Sequence, residues 1–483
     1  MTVPSVNFVE KSGGLGSLPA GRTPLVVVGV CSSTDATVLN LPAAYARISD
    51  VETAFVGGPL VRAAASLIAT YGAPVICVAA DDVTPGSCET VVGGSSGSGG
   101  TSVVTTSVQT ATDDFEIVMV IVNGGTIATA GITYQISLDG GNSYGPVTAL
   151  GTANTLAIGA TGVTFAFAAG TVVAGRTVSV VTHAPLWDAT SLGAALTALD
   201  ASSLKWRRVI VVGDCTPTLA ATVSTWAGLK KNRCALIQVA KKTSAQTEAQ
   251  YLSTLATAWS SFASDSVGKV AGSCRYPDGQ TKRSYRVSPI VPIGGRWASQ
   301  DEDVDISSPL LGALPGVSIR DANGNAAEHD ELINPGLSDA GFIVLRTFDS
   351  NDPSGVYVND PVLSSSSGSD FMRLQHRDVM GLAYDALRKY FTLRLSKDVL
   401  VGKNGFILET EALEIENGAN AVLRAVLLAK PKASAATFTL YRFDNLLSGA
   451  PMTGNYAIVP KAYPKNITLT GGFSNPANSV RVV

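Results

Sequence analysis

Apolar residues form unbroken runs at two places early in the chain, residues 25–31 (LVVVGVC) and 74–80 (PVICVAA). Between them Leu60, Ala64, Leu67 and Ile68 recur at helical spacing, and residues 36–46 also suit a helix. Strands that are apolar at every position, joined through a helix, predict a parallel sheet covered on both faces. The same signature returns with helices at 191–199, 218–229 and 245–262 and strands at 207–213 (RRVIVVG) and 235–239.

The stretch between those two parts has another period. Composition shifts at Val83, residues 93–100 read GGSSGSGG, a linker composition, and short alternating strands follow at 102–109, 115–122, 132–138, 163–167 and 177–182. Asp139-Gly140 after the third of these is a tight-hairpin signal. Farther on, Pro289, Pro292, Pro309, Pro315 and Pro335 punctuate residues 273–340, which read as wrapping loops ahead of a strand at 341–348. The strongest helix opens at Ser369 or Asp370 and runs to about 395. A second helix at 412–429 precedes strands at 437–443, 456–460 and 467–469.

The fold class expected is an α/β core, with a mixed or parallel sheet flanked by helices. An all-β sandwich-like insert interrupts it, and an α+β C-terminal domain and extended terminal arms follow. The expected divisions are an arm at 1–22, core at 23–85, insert at 86–186, core with wrapping loops at 187–350, C-terminal domain at 351–470 and arm at 471–483.

Composition narrows the function. Charged residues are 15% of the 483, against about 25% in ordinary soluble domains, and Gly contributes 48, so the surface is small and uncharged and suits close subunit packing. A net charge of −3 gives no footprint for nucleic acid. The start, MTVPSVNFVEKSGG, lacks the basic region and apolar run of a signal peptide, and no apolar run approaches membrane-spanning length.

Candidate chemistry is sparse. The three histidines, His183, His329 and His376, have no triad-like company in sequence. Gly93-Gly94-Ser95-Ser96-Gly97 matches the nucleophile-elbow spacing but sits in linker composition, and Cys31-Ser-Ser-Thr-Asp35 follows the first strand where a dinucleotide fingerprint would stand. Asp301-Glu-Asp-Val-Asp305 lacks the calcium-loop pattern and reads as a solvated acidic loop, or a rim facing a neighbour's basic residues. The six cysteines lie far apart, with no zinc or redox pair among them, and with the motifs above read this way no metal, no cofactor and no enzyme activity are expected. Cys31, Cys77, Cys215 and Cys234 fall in core strands, whereas Cys88 and Cys274 read as surface thiols, able to form an inter-subunit disulfide or to stay inert.

The order of parts resembles the contractile tail sheath proteins of bacteriophages and related injection machines. The residues that carry this are the V-N-F peptide with Gly13-Gly-Leu-Gly16, Phe55-Val-Gly-Gly-Pro-Leu60 opening a helix, LSDAGFIVLRTF at 337–348, Gly355-Val-Tyr-Val-Asn-Asp-Pro-Val362 and FMRLQHRDVM at 371–380. The resemblance spans the chain apart from 86–186. It implies a structural subunit, without enzyme activity, of stacked helical rings around an inner tail tube, contracting to drive that tube through a cell envelope. Implied partners are further copies, the tube protein and baseplate and terminator proteins, with no direct nucleic acid and no membrane insertion. The implied location is the virion tail, after assembly in the host bacterial cytoplasm. It further implies exchange of terminal strands between subunits, a role that Val6, Phe8, Val480 and Val482 fit, with Gly13, Gly14, Gly16, Gly471 and Gly472 as hinges and the β insert protruding outward. The alternative is a virion or tail accessory protein whose β domain binds host glycan or another structural protein.

Overall fold

The computed structural model describes residues 24–468, apart from positions 73, 98, 244, 321–326, 350–352 and 466. The arm and hinge residues Val6, Phe8, Gly13, Gly14, Gly16, Gly471, Gly472, Val480 and Val482 lie outside the described residues, as does part of the strand expected at 467–469.

The chain begins with β1 (Leu25–Gly29), β2 (Ala43–Tyr45), α1 (Ile48–Phe55), α2 (Pro59–Tyr71) and β3 (Val75–Ala79). The helix expected at 36–46 is instead a short 3-10 turn capped by Asp35, then β2. Pro42 biases Leu41 away from the helical region and ends any helix there. Next come β4 (Ser87–Cys88), β5 (Val104–Gln109), β6 (Glu116–Asn123), β7 (Gly125–Thr126), β8 (Thr133–Ser137), β9 (Thr148–Ala149), β10 (Thr155–Ala157), β11 (Val163–Phe167), β12 (Thr171–Val172) and β13 (Thr177–His183). The α/β alternation resumes in α3 (Ala189–Ala201), β14 (Arg208–Cys215), α4 (Pro217–Gly228), β15 (Cys234–Val239), α5 (Glu248–Ala258) and β16 (Val267–Val270). After these stand β17 (Cys274–Pro277), β18 (Ser284–Val287), α6 (Ile290–Ser299), β19 (Phe342–Ile343), β20 (Leu345–Arg346), β21 (Tyr357–Val358) and α7 (Leu374–Thr392).

The central sheet is mixed, in the order β19-β16-β15-β14-β1-β3-β2, and every neighbour is parallel except β2, antiparallel at the edge. Alternate residues of β1 serve the two faces. Leu25 and Val27 join a cluster with α2 and α6, while Val26 and Val28 join one with α3, α4 and α5. Burying each such side chain contributes about 1.5–3 kcal/mol.

Helix α6 (IVPIGGRWAS) lies where loops were expected. Pro292 falls in its first turn, where a missing N–H costs nothing, and the two glycines let it press on its neighbours. A Cβ on Gly295 would stand 2.0 Å from the Tyr71 ring, and one on Gly294 2.8 Å from Ile210.

Strands β4 to β13 build a five-stranded sheet (β4-β13-β6-β8-β9), a three-stranded one (β10-β11-β5) and the pair β12-β7 around Ile117, Met119, Phe165 and Val178. The expected two-residue hairpin at Asp139-Gly140 is a longer loop, for Thr133 pairs with Ala149. Asp139 organises it, accepting from the Ser137 hydroxyl at 2.6 Å and the Ser143 backbone N–H at 2.9 Å. Nor is the glycine-rich segment a free linker. The buried Arg176 guanidinium donates to the carbonyls of Gly93, Gly94, Ser95 and Ser102 at 2.7 to 3.3 Å. A Cβ on Gly94 would lie 2.2 Å from the Val104 carbonyl oxygen, and one on Gly100 2.0 Å from that of Thr171.

A second compact unit begins at Tyr390. In it α8 (Glu409–Leu423), prolonged by one π-helical turn, packs on the antiparallel pair β22 (Ala435–Leu440) and β23 (Gly454–Val459). Asn420 on α8 accepts from the Phe438 N–H at 2.8 Å and donates to its carbonyl at 3.0 Å, and Glu416 accepts from the Leu440 N–H. These bonds close the outer edge of β22.

Candidate functional site

The strands β4–β13 meet the central sheet at a charged joint. Helix α2 starts at Pro59 after Gly58, whose φ of 95° glycine alone adopts cheaply, and this turn puts Arg62 on the side facing residues 113–116. Arg62 pairs with Asp113 at 2.9 Å and donates to the Asp114 carbonyl at 2.7 Å. Its guanidinium lies 4.9 Å from the Phe115 ring centre and 4.3 Å from that of Tyr285. Beyond the end of β15, Lys241 pairs with Asp114, and from β17 Arg275 meets Glu116 at 2.8 Å. Three cations from the sheet side thus meet three acids in a row at the root of β6.

Burial sets their protonation. It pushes the Asp113 carboxyl up to about 6 against the pull of Arg62. Burial also opposes ionisation of Asp114, but the Lys241 charge and its hydrogen bond bring that carboxyl below the usual range. Burial disfavours the Lys241 charge, but Asp114 and Asp214 together outweigh it and raise Lys241. Such pairs are strongly destabilising to break, since the partner is left charged and buried.

Beneath the joint is a cavity of about 180 Å³ at the C-terminal ends of β14 and β15, with Arg62, Asp113, Asp214, Gln238 and Val291 among its lining. Gln238 donates to Asp214 at 2.7 Å, and burial raises the Asp214 carboxyl.

The acidic run at 328–331 is a buried hub, with side chains tying separate segments together. Glu328 accepts from Arg286 and Ser273, and Asp330 from the Thr347 backbone and hydroxyl. His329 bridges Glu248 at 2.9 Å and Glu331 at 3.0 Å. Burial lowers its affinity for a proton, but the two carboxylates raise it further, so His329 titrates above its ordinary 6.5. The acids at 301–305 depart from a solvated loop, for Glu302 is buried against Arg207 and Asp305 is buried and accepts from Ser307. His183 is half exposed beside Glu89, and His376 opens α7. The long-range pairings, Glu248 with His329, Arg286 with Glu328 and Arg207 with Glu302, lay beyond sequence reasoning because they join residues tens of positions apart.

Cys31, Cys77, Cys215 and Cys234 are buried, as expected of core strands. Cys274 corrects the surface-thiol reading. It is 0% exposed, on a strand turned into the cluster beneath α2 and α6, and burial holds its thiol protonated. Cys88 is half-buried. Ser95 lies on an exposed bend with no helix after it, so the elbow match is coincidental. Among the described residues no cluster of His, Cys, Asp and Glu is placed to hold a metal, and no helix is long and apolar enough to cross a membrane.

No protein-family model and no curated protein matches the sequence. Solved structures do match. A chain of the PVC sheath complex of an extracellular contractile injection system, in the contracted state, is 9% identical with a TM-score of 0.54, covering 98% of both chains. A chain of the anti-feeding prophage (AFP) baseplate, 6-fold symmetrised, is 11% identical with a TM-score of 0.50, over 98% of this chain and 100% of that one. One from the AFP baseplate in its contracted state is 13% identical with a TM-score of 0.50, over 98% of each. At these identities the likeness is one of fold, and at that level it covers most of the chain.

Proposed function

We propose that this chain is the structural subunit of a contractile sheath, stacking as helical rings around an inner tube and contracting to drive that tube through a cell envelope. The observation that carries the reading is the fold match to the PVC sheath complex over 98% of both chains. Its further partners are the tube, baseplate and terminator proteins, its place is the tail of a virion or related particle built in the bacterial cytoplasm, and no catalysis is involved. Residues 86–186 form an outward module rooted at the charged joint.

Strand exchange through Val6, Phe8, Val480 and Val482, hinged at Gly13, Gly14, Gly16, Gly471 and Gly472, belongs to the same proposal. The second unit supports it by offering a two-stranded sheet, which is marginal alone. Because α8 side chains close the β22 edge, a strand joining this sheet would join beside β23. Exposed Leu393, Leu395, Phe443 and Leu447 in that unit suit burial between subunits.

Electron microscopy of the purified full chain and of tail particles tests the reading. Striated cylinders containing this protein are expected. A protein that stays monomeric at high concentration and is absent from the particles would overturn it.

A further inference from the structure

The cavity under the joint occupies a particular place in the topology. From β1 the chain crosses through α2 to β3 on one side, and on its return β14 pairs with the other side of β1. The strand order therefore reverses between β1 and β14. In open α/β sheets such a switch point leaves a crevice outside the carboxyl ends of the strands, and ligands bind there. Here the cavity lies beside that point, bounded by Pro59, Arg62 and Ala63 of α2, by Val212 to Asp214 of β14 with Gln238 of β15, and by Asp113 from the β module. The module covers one side of it and leaves the cavity partly open.

Charge around this space does not balance. Asp113 is matched by Arg62 and Asp114 by Lys241, whereas Asp214 feels the charges of Lys241 and His183 but makes no direct ion pair among the described residues and accepts one hydrogen bond, from the neutral Gln238. Three carboxylates thus face Arg62 and Lys241, with His183, also in the lining, turned to Glu89. The remaining wall is largely aliphatic, including Ala63, Val212, Leu186 and Val291. An apolar cavity of about 150 Å³ accepts a benzene ring, so about 180 Å³ takes a molecule of that size with a short polar arm.

We infer that this cavity is a binding site for a small organic cation, a primary amine with a compact apolar body, whose ammonium pairs with Asp214 while its body fills the aliphatic wall. The occupant touches both the sheet and the β module, so it fastens one to the other. This goes beyond the sheath reading and does not depend on it.

The test uses the full chain with benzylamine as probe, and benzyl alcohol and benzoate as isosteres of the wrong charge, followed by calorimetry and thermal melting. Saturable benzylamine binding below about 10 mM, a raised melting temperature, and at least tenfold weaker binding of both isosteres are expected. Asp214→Asn should weaken benzylamine at least tenfold, and Ala63→Leu, which fills the space and keeps every charge, should abolish binding. Circular dichroism checks that both variants fold, and Ala63→Leu decides alone if Asp214→Asn does not. No saturable binding to the wild type, equal binding of benzyl alcohol, or binding unchanged in the folded variants would overturn the inference.

Discussion

The two sheets at opposite ends of the chain differ in how they are covered. Every residue of β1, β3, β15 and β16 is buried, whereas β23 has one half-buried residue and five exposed ones. The first sheet is paired and covered on both faces by the chain's own helices. The second keeps much of its surface, and the exposed Phe443 and Leu447 beside it, open to solvent. A protein can thus hold its own fold in one region and keep another region in reserve for contacts that other molecules complete.

The sharpest way to break this contrast is to remove a charge beneath the first sheet. Arg208 pairs with Asp378, which also accepts from the Trp297 indole at 2.7 Å, all of them buried. Arg208→Ala should cost about 3–5 kcal/mol in urea unfolding. Leu236→Ala, a cavity in β15, should cost about 2–5 kcal/mol. If either is lost without a shift in the midpoint, the first sheet is less self-sufficient than its burial implies.

The titrating groups sharpen the comparison through pH. His329 is raised above 6.5, so its contribution is fully present below that pH and is lost as pH rises through its folded value. Glu248 and Glu331 are lowered, because their bonds to Lys242 and His329 outweigh burial, so theirs is lost as pH falls through their depressed values. The hub is strongest between these limits, and His329→Gln should flatten the alkaline side of a stability-against-pH curve. Lys269, buried against Phe342 and Trp259, is pushed down to about 8, so the unfolded chain binds the extra proton and stability rises from pH 8 towards 10.5. Lys269→Met should raise the melting temperature at pH 7 and remove that rise.

The smallest effect on the protomer is expected in the second unit. Leu447→Ser, at a side chain 74% exposed, should change unfolding by less than about 0.5 kcal/mol, yet reduce the number of cylinders seen by microscopy. A loss of protomer stability with assembly intact would reverse the contrast.

Legibility in the sequence followed the same division. The parallel strands announced themselves because burial on both faces demands unbroken apolar runs, as in residues 25–29 and 75–79. Helix α6 did not, since Pro292, Gly294 and Gly295 read as breakers until the surfaces they accommodate are seen. The joint was invisible for another reason. Arg62 and Asp113, or Lys241 and Asp114, are ordinary surface residues by type, and only the fold brings them together. The sheath-like order of parts was legible, whereas the cavity beside the switch point left no local signal.

Arg176 and the glycine-rich segment it grips have a practical consequence for anyone labelling this protein. By composition residues 93–100 invite an affinity tag or fluorophore. Three of its carbonyls held by one buried guanidinium, and Gly93, Gly94 and Gly100 packed within 2.2 Å of where a side chain would begin, make both ends of that segment unforgiving sites for an insertion. Gly228, exposed at the end of α4 with no positive φ and with nothing within 4 Å of an added Cβ, is a better place to attach a probe.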